Sequence, residues 1–290
     1  MFSEKMRRVL AYKNIPWRAV EQPAIAPKPD LTPLTGGYRR IPVMQIGADI
    51  YCDTTLMIRV LEKLYSEPTC LPADQVGAAA LIEDWADHRL FLQVVPPVVV
   101  ELQPAFPQGF FADRSAMSSG FTAEAFTVAA PYALAQTKHS LTHLNAQLAQ
   151  HPFLLGDRFT VADAACFHCV WLLKNSPSIW SEVSGRPALA AWFARIEGFG
   201  PGIVQTLSNA EALRIARASR PRDIGGDSIH DPEFAIGTSV TIVADDYGKE
   251  CTTGRVARLT ANEITVLRDD PALGELAVHY PRAGYKIEKT

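Results

Sequence analysis

Apolar residues recur at helical spacing through most of the chain and at a spacing of two near its C-terminal end. At the N-terminal end, residues 4–14 predict a helix and residues 17–20 predict a short strand. Residues 23–35 hold four prolines, which favours an extended loop. The first part of the chain therefore predicts a small α/β unit.

Residues 37–56 predict a strand, a tight turn, a second strand and the start of a helix that ends near Tyr65. Asp53 and Thr54 stand at the start of this helix, where unpaired N–H groups and the positive end of the helix dipole attract anions. Asp53 adds an acceptor for an amine, and Thr54 adds a hydroxyl donor. Such a corner suits a ligand with both an ammonium and a carboxylate, but the spacing alone favours a simple N-cap.

Residues 72–219 have helical periodicity throughout. We expect Pro96 and Pro97 to end the helix that covers 78–95, because proline lacks a backbone N–H and its ring clashes with the preceding turn. The region predicts an all-helical domain, with further helices at 123–150, 159–165 and onward, 187–199 and 208–219.

The character of the chain changes after the helical region. Residues 220–232 are polar, contain Gly and Pro, and predict a linker. Beyond them the apolar spacing drops to two in about five short runs, separated by turn signals such as the one at 245–248. Residues 233–290 therefore predict a small all-β, barrel-like module.

Composition limits the kinds of partner. The net charge of −3 and the hydrophobic content of 48% are those of an ordinary globular protein with a full core. The β module holds seven basic and nine acidic side chains, which argues against nucleic acid. No apolar run reaches the roughly 20 residues of a membrane span, and the first residues lack a signal peptide's apolar core. We expect a cytoplasmic protein without nucleic-acid or membrane partners.

The cysteines and histidines raise the question of a metal site. The five cysteines are scattered and odd in number, so a disulfide framework is not expected. Cys166 and Cys169, with His168 between them, have the spacing of a metal-ligand pair. No second pair of suitable spacing exists, and these residues lie in an apolar helical run. We therefore favour packing in the core and predict no metal site.

Two motifs together resemble a known family. The string at 39–43 followed by Asp53-Thr54 resembles the glutathione-binding segment of the glutathione S-transferase family. The second motif, at 154–163, is similar to the capping box of that family's helical domain, with Thr160 as N-cap and Asp163 three residues later. Both motifs occur in the family's order, so the pair is far more specific than either motif alone.

The resemblance covers roughly residues 1–219 and implies the fold class. It implies a multidomain protein with an α/β thioredoxin-like domain at 1–66 and an all-α domain at 72–219. The linker at 220–232 and the barrel-like β module at 233–290 lie outside the two domains that are usual in the family.

The resemblance also implies a glutathione site. Pro42 matches the family's cis-proline, a geometry that an X–Pro bond adopts at modest cost. Ile41 would pair its N–H and C=O with the cysteinyl backbone of glutathione, as an added strand would. Arg40 would reach the glycyl carboxylate, Thr54 the γ-glutamyl carboxylate and Asp53 the γ-glutamyl ammonium. The family usually has Glu or Gln at the position of Asp53 and Ser at that of Thr54.

The catalytic position departs from the family pattern. In the family, the first strand ends in a Ser, Cys or Tyr that stabilises the glutathione thiolate. Residues 2–7 resemble the segment that follows this position, so the catalytic residue would precede Met1, unless the edge of the sheet is rebuilt. Ser3 is the nearest hydroxyl and the candidate catalytic residue, although an N-cap is the favoured interpretation of Ser3.

The resulting functional expectation is a homodimeric glutathione S-transferase-like detoxification enzyme. Glutathione would be its co-substrate, and its thiolate would be transferred to a small hydrophobic electrophile. Because no catalytic group is evident, enzyme activity itself stays open. The alternatives are a non-catalytic binding or scaffold protein of the same fold, and a glutathione-dependent lyase, isomerase or dehalogenase.

Overall fold

The computed structural model describes residues 1–222, 228–248 and 250–290. Residues 223–227 of the predicted linker lie outside the described residues, as does Lys249. The chain forms two compact units. The first comprises Met1–Trp17, Leu61–Ala112 and Gly120–Val204, and the second comprises Arg18–Val60, Asp113–Ser119 and Gln205–Thr290. The boundaries at 66, 72, 219 and 233 stay predictions.

The first unit is helical. Its helices follow the predicted order, and the structure adds a short helix at Pro177–Ser184 that the periodicity did not predict. The helices that lie wholly within this unit are α1 (Phe2–Tyr12), α4 (Val76–Asp84), α5 (Phe91–Leu102), α7 (Ala123–Leu148), α8 (Val161–Leu173), α9 (Pro177–Ser184) and α10 (Pro187–Glu197).

Some elements cross from one unit into the other along the chain. Helix α3 (Thr54–Leu64) and helix α6 (Phe110–Met117) do so, as do β1 (Trp17–Ala19) and β4 (Val204–Thr206). Strands β1 and β4 form a two-stranded sheet. The predicted strand at 17–20 and the predicted helix after Asp53 are therefore confirmed.

The prediction that Pro96 and Pro97 end a helix is wrong. Both prolines lie inside α5, which continues from α4 through a π-helical turn at 85–90. The missing N–H of Pro97 leaves the carbonyl of Gln93 without its helical partner, and the Thr137 hydroxyl on α7 donates to that oxygen at 2.9 Å. The carbonyl that Pro97 leaves without a helical partner thus bonds to a residue of another helix.

The capping box at the start of α8 is confirmed. Asp163 is fully buried, and its Oδ2 accepts hydrogen bonds from the Thr160 N–H at 2.9 Å and the Thr160 hydroxyl at 3.0 Å. Its Oδ1 accepts from the Leu154 N–H at 2.8 Å and from the Trp192 indole N–H at 2.9 Å. Burial raises the pKa of this carboxyl. One side chain therefore ties the start of α8 to the preceding loop and to α10.

The Cys166–Cys169 segment lies in the core of the first unit. Both thiols are fully buried, and Nε2 of His168 lies 2.8 Å from Oδ1 of Asp87, a residue of the π-helical turn. Asp87 also pairs with the fully buried ammonium of Lys5 at 2.5 Å. Among the described residues, no cluster of His, Cys, Asp and Glu side chains has the arrangement of a metal site.

The second unit is built on a sheet of seven strands in the order β2-β3-β8-β7-β6-β5-β9. All five predicted C-terminal strands are confirmed. Helices α2 (Thr32–Thr35) and α11 (Asn209–Arg217) belong to the same unit. The strands are β2 (Val43–Ile46), β3 (Asp49–Cys52), β5 (Ser239–Ala244), β6 (Thr252–Leu259), β7 (Glu263–Asp270), β8 (Gly274–Pro281) and β9 (Tyr285–Lys289).

The C-terminal strands do not form a separate sheet. Strand β8 pairs in parallel with β3, aligning Ile50 with Val278 and Tyr51 with His279. Both strands are buried along this pairing, so each covers an edge that would otherwise carry unpaired N–H and C=O groups. The sheet of the predicted β module thus continues into the hairpin that precedes α3.

A buried charge network crosses β3, β8 and β7. His279 is 3% exposed, and its Nε2 lies 3.0 Å from Oδ1 of Asp49 while its Nδ1 lies 2.9 Å from Oε1 of Glu263. The ring of Tyr51 stacks on the imidazole at 4.3 Å. Burial disfavours the charged imidazole and lowers the pKa of His279. The hydrogen bonds and negative charges of the two carboxylates outweigh this effect, so the pKa is raised.

None of the helices in the described ranges is long and apolar enough to cross a membrane.

Replacing Asp163 should destabilise the first unit. Asp163→Ala leaves the N–H groups of Leu154 and Thr160 and the Trp192 indole buried without their acceptor. Each such donor costs about 1–3 kcal/mol, so we expect a loss of at least about 3 kcal/mol in the free energy of unfolding, measured by urea denaturation. Asp157→Ala, an exposed change in the loop that precedes α8, is the control. Equal losses in the two variants would contradict the assignment.

His279 should make stability depend on pH. Its raised pKa means that its stabilising contribution is complete below about pH 6.5, the usual histidine pKa, and is lost as the pH rises through the folded-state value. His279→Gln should abolish this fall in stability and cost about 3 kcal/mol at acidic pH, because Asp49 and Glu263 lose the buried cation that contacts both of them. The charges that stay near them, Arg222 at 3.5 Å and Arg258 at 3.9 Å, are more distant.

The measurement is urea denaturation on both sides of neutrality. His230→Gln, an exposed change in the same unit, should behave like the wild type. A His279→Gln variant that keeps the wild-type pH dependence would contradict the role of this residue.

Candidate functional site

The predicted ligand corner lies in the second unit, at the end of a β-hairpin. Strands β2 and β3 pair antiparallel from Val43–Cys52 to Ile46–Asp49. The chain reverses at Gly47, whose φ of +64° is in the left-handed region that glycine tolerates. Helix α3 begins at Thr54, directly after β3. The hairpin, turn and helix start are therefore confirmed.

Asp53 has an unusual backbone conformation for a residue with a side chain. Its φ is +75°, and such strain costs of order 1–3 kcal/mol and concentrates at functional sites. Oδ1 of Asp53 accepts from the Thr55 N–H at 2.8 Å, so Asp53 is the N-cap of α3. Oδ2 accepts from the Tyr285 hydroxyl at 3.3 Å. Capping thus uses one oxygen, and the half-buried carboxylate keeps acceptor capacity for an ammonium.

The segment before β2 presents main chain at the same corner. The Ile41–Pro42 peptide bond is cis, as the resemblance implied. Ile41 is 42% exposed. Among the residues that the structure describes, the N–H and C=O of Ile41 have no hydrogen-bond partner. An extended ligand could therefore pair with this residue as a strand does.

Arg40 faces residues of the loop between β5 and β6. Its Nη1 donates to Oδ2 of Asp246 at 3.2 Å, and its Nη2 donates to Oδ1 of the same carboxylate. The guanidinium lies over the ring of Tyr247 at 4.0 Å, a cation–π contact. The charges of both Arg40 and Asp53 act on the Tyr247 phenol, whose pKa burial raises. Tyr247 is therefore packed against the cationic end of the corner.

Arg39 anchors the same segment from its other side. It pairs with Asp113 at 2.8 Å and, through Nε, with Glu250 at 2.8 Å. Gly248 approaches this segment so closely that a Cβ there would meet Nε of Arg40 at 3.1 Å and Met117 at 3.0 Å. Its φ is +70°, which also favours glycine. The β5–β6 loop is therefore fitted to the segment at Arg39 and Arg40.

The sequence analysis did not identify the C-terminal residues in this site. Tyr285 bonds Asp53 and also contacts the hydroxyl of Tyr38 at 3.3 Å. The residues at 245–248 gave only a turn signal. No local pattern signals their approach to Arg40, because the two segments are about two hundred residues apart in the chain.

Five of the six predicted site residues share the second unit. Thr54 is buried at the first position of α3, next to Asp53. Ser3 belongs to the first unit, and the prediction that it caps α1 is wrong, because the helix already begins at Phe2. The five residues brought together in one unit are Arg40, Ile41, Pro42, Asp53 and Thr54.

The corner combines a helix N-terminus, a carboxylate, open main-chain groups and a guanidinium. A ligand with an ammonium and a carboxylate at one end, a peptide-like middle and an acid at the other end matches these groups in order. The guanidinium of Arg40, however, already pairs with the carboxylate of Asp246.

Comparison with known proteins shows the family to which the chain belongs. A model of the glutathione S-transferase N-terminal domain matches residues 1–69, and one of the C-terminal domain matches residues 83–195. A GST-like protein from Pseudomonas syringae, known from its crystal structure, is 35% identical. The alignment covers 100% of this chain and 95% of that one, with a TM-score of 0.84. No curated protein matches the chain at a significant level.

More distant structures share the fold. A glutathione S-transferase from Rhodospirillum rubrum F11 is 19% identical, with 69% of this chain and 84% of that one covered and a TM-score of 0.54. One from Ceriporiopsis subvermispora, solved in complex with glutathione, is 18% identical, with 68% and 90% covered and a TM-score of 0.50. With an α/β domain, a helical domain and an additional C-terminal sheet region, the chain belongs to the glutathione S-transferase family.

Proposed function

We propose that this protein binds glutathione at the corner formed by Arg40–Pro42 and Asp53–Thr54. The observation that carries the proposal is the start of α3, where Asp53, with its positive φ, and Thr54 stand at a helix N-terminus. The γ-glutamyl carboxylate lies at that N-terminus with Thr54, and its ammonium lies at Asp53. The cysteinyl backbone pairs with Ile41.

Membership of the family supports this choice of ligand. The Ceriporiopsis subvermispora neighbour has glutathione bound, and we extend the ligand to this chain because residues 1–69 match the family's N-terminal domain. The Arg40 guanidinium is suited to the glycyl carboxylate at the far end of the tripeptide. The shorter side chain of Asp53, compared with the Glu or Gln usual in the family, brings the ammonium nearer to the main chain.

The proposed activity is transfer of the glutathione thiolate to a small hydrophobic electrophile in the cytoplasm, a compartment that glutathione keeps reducing. The thiolate is the nucleophile, and the protein's task is to hold it in its ionised form. Ser3 stays the candidate for this task. A lyase, isomerase or dehalogenase reaction would use the same glutathione site, and screening of substrates distinguishes these reactions.

We further propose a homodimer formed through the helical unit. Helices α5 and α7 pack against each other, and both leave large apolar side chains exposed. On α7, Val128 is 81% and Tyr132 is 69% exposed, one helical turn apart. On α5, Leu92 is 59% exposed. Apolar side chains so exposed on packed helices are typical of a protein–protein interface.

Glutathione binding should depend on the Thr54 hydroxyl. A lost charge-assisted hydrogen bond costs about 1.5–3 kcal/mol, so Thr54→Ala should weaken binding by roughly 10- to 150-fold in calorimetry. Thr55→Ala, the neighbouring position on α3, is the matched control and should bind like the wild type. An unchanged affinity in Thr54→Ala, or no heat of binding in the wild type, would refute the site.

The dimer should depend on the exposed apolar residues of α7. Wild-type protein should sediment at twice the mass of the single chain, and Val128→Asp combined with Tyr132→Asp should sediment as the monomer, because each change places a charge in the interface. Glu124→Gln, a change of charge on the same helix, is the control. A wild-type monomer, or a dimeric double variant, would contradict the proposed interface.

A further inference from the structure

The β5–β6 loop places a carboxylate on the guanidinium assigned to the ligand. Asp246 binds Arg40 through both carboxylate oxygens, the geometry in which an arginine receives a free carboxylate. The Arg40 side chain is 16% exposed, whereas that of Asp246 is 37% exposed. The guanidinium is therefore held within the site, while the carboxylate approaches it from the solvent side.

The described residues of the loop on both sides of Asp246 are held by contacts that do not involve its side chain. The Gly248 N–H donates to the carbonyl of Met117 at 2.9 Å, and the Asp245 N–H donates to that of Gly284 at 3.0 Å. Glu250 pairs with Arg39 at 2.8 Å. The Asp246 side chain can therefore leave Arg40 by rotation about its own bonds while the loop backbone stays in place.

Tyr247 holds the guanidinium independently of the carboxylate. Its ring lies under Arg40 at 4.0 Å, and this face contact leaves the edge of the guanidinium, with its N–H donors, directed elsewhere. When Asp246 rotates away, those donors face an incoming carboxylate with the guanidinium plane still supported. Arg40 then exchanges one carboxylate for another at its two Nη groups.

We propose that Asp246 is a specificity-determining residue that competes with the glycyl carboxylate of glutathione for Arg40. This inference rests on the proposed function, since it takes glutathione as the ligand of the corner. Binding of the free acid has to displace Asp246, which weakens its affinity. A tripeptide with a neutral C-terminal end leaves the Arg40–Asp246 pair intact, so the site discriminates less against such ligands than an unpaired arginine would.

The experiment compares two ligands and two neighbouring variants by calorimetry. The ligands are glutathione and glutathione esterified at the glycyl carboxylate. Asp246→Ala should bind glutathione about three- to ten-fold more tightly than the wild type, and should bind the ester with unchanged affinity. Asp245→Ala is the matched control, because it removes the same charge one residue away and the Asp245 carboxylate has no ion pair among the described residues.

A third variant tests whether the effect passes through Arg40. In an Arg40→Ala background, adding Asp246→Ala should not change glutathione affinity, because the residue for which the two carboxylates compete is absent. Equal tightening by Asp245→Ala, or tightening towards the ester, would indicate a general charge effect and overturn the proposal.

The outcomes separate this proposal from the proposed function. If the wild type binds glutathione and Asp246→Ala binds it equally or more weakly, the competition is overturned but the glutathione site is not. Absence of binding in the wild type and in Asp246→Ala alike overturns both. Binding that is detected only in Asp246→Ala supports the competition directly.

Discussion

The parallel pairing of β3 with β8 is the constraint on which the candidate site depends. It places His279 between Asp49 and Glu263, so three buried charged groups satisfy one another across three strands. Removing His279 would leave two buried carboxylates without the cation between them, which is far more costly than losing a surface pair. The hairpin that leads into α3 is therefore held in register by strands from the other end of the chain.

That attachment explains how C-terminal residues take part in the site. Other strands of the same sheet carry Tyr285, on β9, which bonds Asp53, and the loop after β5 with Asp246 and Tyr247. The C-terminal sheet region therefore helps to position Asp53 and Arg40 of the candidate site. Two adjacent arginines contact this loop in different ways. Arg39 pairs with Glu250, whereas Arg40 pairs with Asp246 at the candidate site.

Most of the correct sequence predictions concern structure that is set by residues close together in the chain. The hairpin, the start of α3, the capping box at Asp163 and the five C-terminal strands follow from periodicity, turn residues and short-range hydrogen bonds. The prediction for Pro96 and Pro97 failed for the complementary reason. The hydroxyl that satisfies the Gln93 carbonyl belongs to Thr137, on a different helix, so no local rule includes it.

The sequence by itself determined the residue types at the corner and, through two spaced motifs, the family. Only the tertiary structure decided which of those residues already have partners. The sequence shows that residue 40 is an arginine, but it does not show whether the guanidinium has a partner. That partner, Asp246, belongs to a loop far away in the chain. The physical reason is that hydrogen bonds and ion pairs depend on distance in space, whereas sequence patterns record only distance along the backbone.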